Sequence, residues 1–410
     1  MTVSTDNLDD LLAPAVIANP YATYARLREI DPIHWNPLFN AWVVTRYDDV
    51  QAMLQDPRIR SGWGLSRPVQ TQTPEDQAAL EALTRFRSLS IAGQDGPDHR
   101  RLRALISKAF TPNMVERMRG FIQEQVDLIV DEAQKRGGFE VMHDLGMHLP
   151  GQVIFHLCGV PEELHDDFVR SANILAVASG LGDLAPGELA TLTNGALAVM
   201  QDVYKVIDDQ AANPQDNLIG RLLQAEENGQ IFSREELCNF IYGLLLGGSE
   251  NTARIIANGL LALLRNPDQL ALLRKNPELI DSAVEEIIRF DPPVTMNFRT
   301  PSEDILVRGH TIKAGDLIFL SLGAANRDPE QFPDPDRFDI TRQPNRHLAF
   351  GYGAHYCIGA PLSRLENKIV FETIVQRLPG LRLTDAELEW NPNFIMRDLK
   401  ALHVTFDRQF

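Results

Sequence analysis

The chain has 410 residues, 44% of them hydrophobic, and a formal net charge of −17. That acidity argues against a nucleic-acid partner, and no apolar run approaches the ~20 residues that cross a bilayer, so neither DNA binding nor a membrane anchor is expected. Three cysteines, Cys158, Cys238 and Cys357, are too few for a disulfide framework and fit a reducing, cytoplasmic setting.

The first thirteen residues are polar and acidic, unlike a secretory leader. No linker, repeat or low-complexity tract divides the rest of the chain, so one domain over 1–410 is expected, mainly helical with small β-sheets. Residues 33–47, with alternating Ala41-Trp42-Val43-Val44-Thr45, predict a hairpin, and 48–54 a short helix. Between 60 and 91 the periodicity weakens around Gly62, Gly64, Pro68 and Pro74; this predicts a long irregular connection, a length usually kept for function, such as covering a pocket. Cys158 and Cys238 fall in apolar helical patterns and read as core. Small residues over 172–180 suggest a roomy cavity or a lid. Ser233 with Glu236 forms a capping box at the head of an apolar pattern that runs to about Arg265, a helix of ~40 to 50 Å at 1.5 Å per residue. A second helix is predicted over 277–290, stopped by Asp291-Pro292-Pro293. Strands are predicted at 305–307 and 317–320, with turns at Gly309 and Gly315.

Three stretches carry chemistry. In Phe350-Gly351-Tyr352-Gly353-Ala354-His355-Tyr356-Cys357-Ile358-Gly359, glycines flank a thiol and permit a tight turn whose amides point at the sulfur. The helical pattern that starts at Ala360-Pro361 places Cys357 just before a helix N-terminus, which favours the thiolate. In Glu286-Ile287-Ile288-Arg289 a carboxylate and a guanidinium share one helical face, which alone signifies no more than a surface ion pair. In Leu244-Leu245-Leu246-Gly247-Gly248-Ser249-Glu250-Asn251-Thr252, paired glycines inside a helix cost about 1 kcal/mol each and predict a groove beside polar groups.

The order Phe-Gly-x-Gly-x-His-x-Cys-x-Gly matches the haem-binding signature of the cytochrome P450 superfamily at every fixed position, and the chain resembles that family along essentially its whole length. The resemblance implies the P450 fold, with a long central helix over haem b and a cysteine-ligand loop beneath it. Cys357 would be the metal ligand, with Phe350 and Gly359 of the signature beside the cofactor and Gly247 across from it. Glu286, Arg289 and Arg337, the last in Pro335-Asp336-Arg337-Phe338, resemble the family's structural ion-paired network. The haem propionates would be met by His99 and Arg103, in Asp95-Gly96-Pro97-Asp98-His99-Arg100-Arg101-Leu102-Arg103, and by Arg299 and His355; Gly96 stands where the family usually has proline. In the oxygen-activation motif Glu250 fills the acid position, but the usual threonine is Asn251. Thr252 falls about 100° further round the helix and is no simple substitute. The Asn251 amide both donates and accepts, so it can replace the hydroxyl in proton delivery. The family's substrate-contacting positions fall on 61–91, 174–178, Leu244, Gly247, Val294, Thr295, Asn297, Phe394 and Ile395.

The resemblance further implies a haem-thiolate monooxygenase that inserts one atom of dioxygen into a small apolar organic substrate, by hydroxylation or epoxidation, in secondary metabolism or small-molecule catabolism. Asn251 raises an alternative, oxidative coupling or peroxide-driven oxidation; a non-enzymatic haem-thiolate sensor or binding protein ranks below both. With no Gly-x-Gly-x-x-Gly fingerprint, electrons would come from a separate ferredoxin or flavodoxin and its reductase. Arg100, Arg101, Lys108, Arg346, Arg364 and Lys368 are candidates for a basic docking patch.

Overall fold

Alternating apolar residues near the N-terminus form the expected hairpin: β1 (Ile33–Asn36) pairs antiparallel with β2 (Ala41–Val44), and Ile33, Ala41, Val43 and Val44 turn into the core. The structure is a computed structural model and describes residues 8–61, 73–169 and 187–407. Further strands are β3 (Ile59–Arg60), β4 (Gly138–Glu140), β5 (Met296–Pro301), β6 (Ile305–Val307), β7 (His310–Ile312), β8 (Leu317–Ser321), β9 (Arg382–Leu383) and β10 (His403–Thr405). They make a five-stranded sheet in the order β1-β2-β8-β5-β3, a three-stranded sheet β4-β10-β9 and a β6-β7 pair. Both predicted later strands are present, as β6 and β8.

The long helix runs Arg234–Arg265, about 48 Å at the standard rise. Its capping box forms as the spacing predicts: the Glu236 amide donates to Ser233 Oγ at 3.1 Å and the Ser233 amide to Glu236 Oε2 at 2.9 Å. The predicted 277–290 helix divides into a 3₁₀ turn, Pro277–Leu279, and an α-helix, Ile280–Phe290.

The irregular connection expected over 60–91 needs correction. Residues 62–72 lie outside the described residues, but Pro74–Ser88 is a helix. Pro74 starts it rather than breaking it, since a first-turn proline has no hydrogen bond to lose. Thr73 Oγ1 accepts from the Asp76 amide at 3.0 Å, and Ala79 and Leu83, four apart, are buried. The stretches 172–180 and 174–178 also lie outside the described residues.

The chain's contacts cluster into two compact units. One comprises Met1–Arg60, Arg119–Pro150 and Glu250–Phe410; the other Ser61–Met118 and Gly151–Ser249. The first holds all the sheets named above. In it the helix Ala360–Arg377 packs on Arg119–Arg136 and on Ile280–Phe290. Gly259 of the long helix admits this crowding: an added Cβ would lie 2.5 Å from Phe371 and 2.6 Å from Ile287. The second unit is helical, with Glu188–Ala212 on Pro74–Ser88 and Leu218–Gln224 on Gly96–Ala109. Cys158 and Cys238 are core residues, as expected, and burial pushes both thiols up to about 12. Among the described residues no helix is long and apolar enough to cross a membrane.

Candidate functional site

Cys357 differs from the other two cysteines in being exposed, and its loop is built to present it. Gly351 and Gly353 take φ of +73° and +72°, left-handed values that suit glycine. The Cys357 amide donates to Phe350 O at 2.9 Å and closes the turn. The helix Ala360–Arg377 follows at once, with Gly359 as its N-cap. Gly359 has an ordinary φ of −76°, and a Cβ there would meet Cys357 Sγ at 3.9 Å, so its absence leaves the sulfur unencumbered.

A clamp unseen in the sequence holds this loop from below. The Arg364 guanidinium lies 4.6 Å over the Phe350 ring and donates to Tyr356 Oη at 2.9 Å. Its other edge is bidentate on Glu285, at 2.6 and 3.0 Å, and His347 Nε2 lies 3.1 Å from the same carboxylate. Burial opposes ionisation of Glu285, but the hydrogen bonds from His347 and Arg364 outweigh it and hold the carboxyl at about 2.

The neighbouring Glu286 is fully buried with Arg289, which meets it through Nε and Nη2 at 2.7 and 2.8 Å. Arg289 Nη1 reaches the carbonyls of Asn326 and Pro335, at 2.8 and 2.9 Å. The expected third cation is corrected. Arg337 is exposed and offers this network its backbone carbonyl, 3.4 Å from Arg289 Nη2. The second guanidinium on Glu286 belongs to Arg342, Nε to Oε2 3.2 Å. A turn in which the Arg342 amide donates to Asp339 O brings it back over the carboxylate. Asn345 Nδ2 and the Asp339 amide complete the shell, at 3.1 and 2.9 Å.

The expected propionate donors fall in both units. In the second, His99 is buried and Arg103 half-buried, one turn apart on the helix Gly96–Ala109. Gly96 has φ +62°, which the proline usual in the family could not adopt. In the first, Arg299 is buried on β5, donating to Asn297 Oδ1 and Phe298 O at 2.7 Å each, and His355 is half-buried in the 3₁₀ turn Gly353–His355.

On the long helix Gly243, Gly247 and Asn251 recur every fourth residue and so share one face. Among the described residues an added Cβ at Gly243 or Gly247 would meet nothing within 4 Å, whereas one at Gly248 would strike Ile154 Cδ1 at 2.5 Å. Gly247 therefore opens the helix surface, and Gly248 serves packing. Leu244 and Asn251 are half-buried; Thr252 is buried off that stripe. Glu250 is engaged by Arg254, one turn on, at 3.1 Å, and Arg254 also meets Asp398 at 3.0 Å. Neither Arg254 nor Asp398 was anticipated, although Glu-x-x-x-Arg spacing was there to be read.

The expected substrate positions have partners of their own. The Thr295 side chain is buried and its hydroxyl bonds the carbonyls of Phe394 and Ile395, at 2.8 and 2.9 Å, so it fixes the C-terminal loop. Phe394 and Ile395 pack into a core with Leu11, Tyr24 and Phe319, the Phe394 ring 4.6 Å from that of Phe39. Val294 and Asn297 are half-buried, Val294 bridging to Met396 and Asn297 holding Arg299. The basic patch is also reduced: Arg101 pairs with Glu236, Lys108 with Glu227, Arg364 with Glu285 and Lys368 with Asp281, while Arg100 and Arg346 are exposed.

Within the first unit the donor set suits haem: an exposed thiol in a glycine turn, with Arg299 and His355 as cations for carboxylates whose burial would demand them. Comparison with known proteins agrees. The family model for cytochrome P450 matches residues 187–381. The chain is 37% identical over 403 residues to the polyketide biosynthesis cytochrome P450 PksS of Bacillus subtilis (strain 168), covering 95% of this chain and 96% of that one. It is 38% identical over 395 residues to the biotin biosynthesis cytochrome P450 of the same strain, covering 95% and 97%. A crystal structure of P450BioI in complex with an acyl carrier protein ligated to hexadec-9Z-enoic acid superposes with a TM-score of 0.86 at 37% identity, over 96% of this chain and 99% of that one.

Proposed function

The chain belongs to the cytochrome P450 family, and from that premise we propose that Cys357 would supply the thiolate that holds its haem and that Asn251, with Glu250, takes over the proton handling usually given to threonine. It is a haem b monooxygenase for small apolar substrates. Haem, when bound, would supply the activation of dioxygen, with Cys357 giving it thiolate electron density.

The chain's own residues do the rest. The Glu285–Arg364–Phe350 clamp holds the Cys357 loop in register, and the helix beginning at Ala360 favours the ionised sulfur. Arg299 and His355 of the first unit, and His99 and Arg103 of the second, are the cations that would neutralise the haem propionates. Glu286 and Arg289, with Arg342, fix the segment leading to the cysteine loop. On the long helix Leu244 and Gly247 are the substrate-facing positions, and in the first unit Val294 is another. The Asn251 amide would order a water by donating and accepting, and Glu250, partly exposed, would take up a proton from solvent and pass it to that water.

One observation carries this reading: Asn251 falls on the helix face of Gly243 and Gly247, where among the described residues an added Cβ at either glycine would meet nothing within 4 Å, while Thr252 is buried off that face. All 410 residues act as one catalytic domain in the cytoplasm, with electrons from a separate ferredoxin or flavodoxin and its reductase. The reduced protein with carbon monoxide should absorb near ~450 nm, the thiolate signature. Substrates found by spin-state change, offered free and carrier-borne, should take one labelled atom from ¹⁸O₂. Asn251→Ala should lower the fraction of electrons recovered in product. Unlabelled or coupled product formed with peroxide and no electron donor would favour the oxidative alternative, and a histidine-type Soret band would overturn the thiolate assignment.

A further inference from the structure

Arg254 stands between two carboxylates on different elements. Its Nη1 and Nη2 each lie 3.1 Å from Glu250 Oε2, and its Nε and Nη2 lie 3.0 and 3.4 Å from Asp398 Oδ1 and Oδ2. Arg254 is 12% exposed, Asp398 15% and Glu250 33%. An exposed Glu–Arg pair four apart contributes little, because two long side chains must give up their freedom to meet. Here Asp398 has already fixed the arginine from outside the helix.

Asp398 is itself secured. The Asn391 amide donates to Asp398 O at 2.9 Å and Asn391 Nδ2 to Asp398 Oδ2 at 3.0 Å, with Trp390 and Leu399 bridged beside them. One turn past Arg254, Asn258 Nδ2 donates to Arg397 O at 3.2 Å, so the C-terminal hairpin is fastened to successive turns of the long helix. Arg397 continues the anchorage through Asp291 and the carbonyl of Ile17. A guanidinium offers five donors in a rigid plane, enough to hold both carboxylates and set the direction of the Glu250 oxygens.

We propose that Arg254 is a positioning residue that, anchored by Asp398, aims the Glu250 carboxylate, so that proton handling in this chain belongs to the unit Glu250–Arg254–Asp398. This rests on the reading that Glu250 handles protons. Arg254→Ala and Asp398→Asn should each lower the fraction of electrons recovered in product about fivefold, raise hydrogen peroxide release and enlarge the solvent isotope effect on turnover. Substrate affinity, read from the spin-state change, should stay within about twofold. Arg254→Lys should recover at least half of the lost coupling. Because Asp398 acts through Arg254, the double variant should be no worse than Arg254→Ala alone, and the shift in urea midpoint caused by Asp398→Asn should vanish in the Arg254→Ala background. Lowered midpoints with unaltered coupling and isotope effect, or additive losses in the double variant, would overturn the proposal and leave the monooxygenase reading standing. Failure of the wild-type chain to form labelled product would overturn both.

Discussion

Glu285 and Glu286 are neighbours on one helix, yet successive positions point about 100° apart and the two carboxylates serve different structures. Glu285 braces the cysteine loop; Glu286 accepts from the Asp339 amide and holds Arg289, which reaches the Pro335 carbonyl. A glutamate free in the unfolded chain titrates near 4.5, and Glu285 in the fold near 2. Its contribution is therefore fully present above about pH 4.5 and is lost as pH falls from there towards about 2. Between about pH 6 and about pH 3 the wild type should lose about 2 kcal/mol more stability than Glu285→Gln, measured by urea unfolding. Around Glu286, removing one partner of a buried ion pair leaves the other uncompensated. Arg342→Ala should cost about 2–3 kcal/mol in the same assay, and Arg337→Ala, at an exposed position, within about 0.5 kcal/mol. These residues also mark the limit of what local sequence carries. Glu286 and Arg289 were legible because three-residue spacing puts them on one face. Arg342, Glu285 and Arg364 were not, since an ion pair between segments distant in sequence leaves no local pattern.

Elements were legible in proportion to their length and their caps. The long helix announced both ends, and its capping box has a measurable weight: Ser233→Ala should lower stability by about 1 kcal/mol in denaturant unfolding. Glu236→Ala should cost more, because that carboxylate also pairs with Arg101. The helix Pro74–Ser88 was hidden by treating proline as punctuation without regard to position. Once formed it stabilises another: buried Asp76 accepts from the amides of Gly187 and Ala190, at 2.8 and 3.0 Å, capping the helix Glu188–Ala212. Those backbone hydrogen bonds hold the Asp76 carboxyl below its usual range. Strands β3, β4, β9 and β10, two or three residues each, are too short for alternation to register, and they exist because a distant partner offers an edge.

At the scale of the whole molecule, the cysteine signature was enough to name family and cofactor, because a haem ligand loop must satisfy sulfur, backbone and helix within ten residues. On the long helix the sequence was legible as far as its departure from pattern, Asn251, four residues on from Gly247. Formal charge gave little: of six cations singled out for docking, four are already neutralised by nearby carboxylates. The central sheet carries a different consequence. β2 lies parallel to β8, and the Trp42 indole donates to Asp316, 274 positions later, at 2.9 Å. At ~5–20 residues per second a ribosome needs about 14–55 s to cover that distance. For that interval the nascent hairpin waits with an open edge, the condition in which a strand is most prone to pair with a stranger.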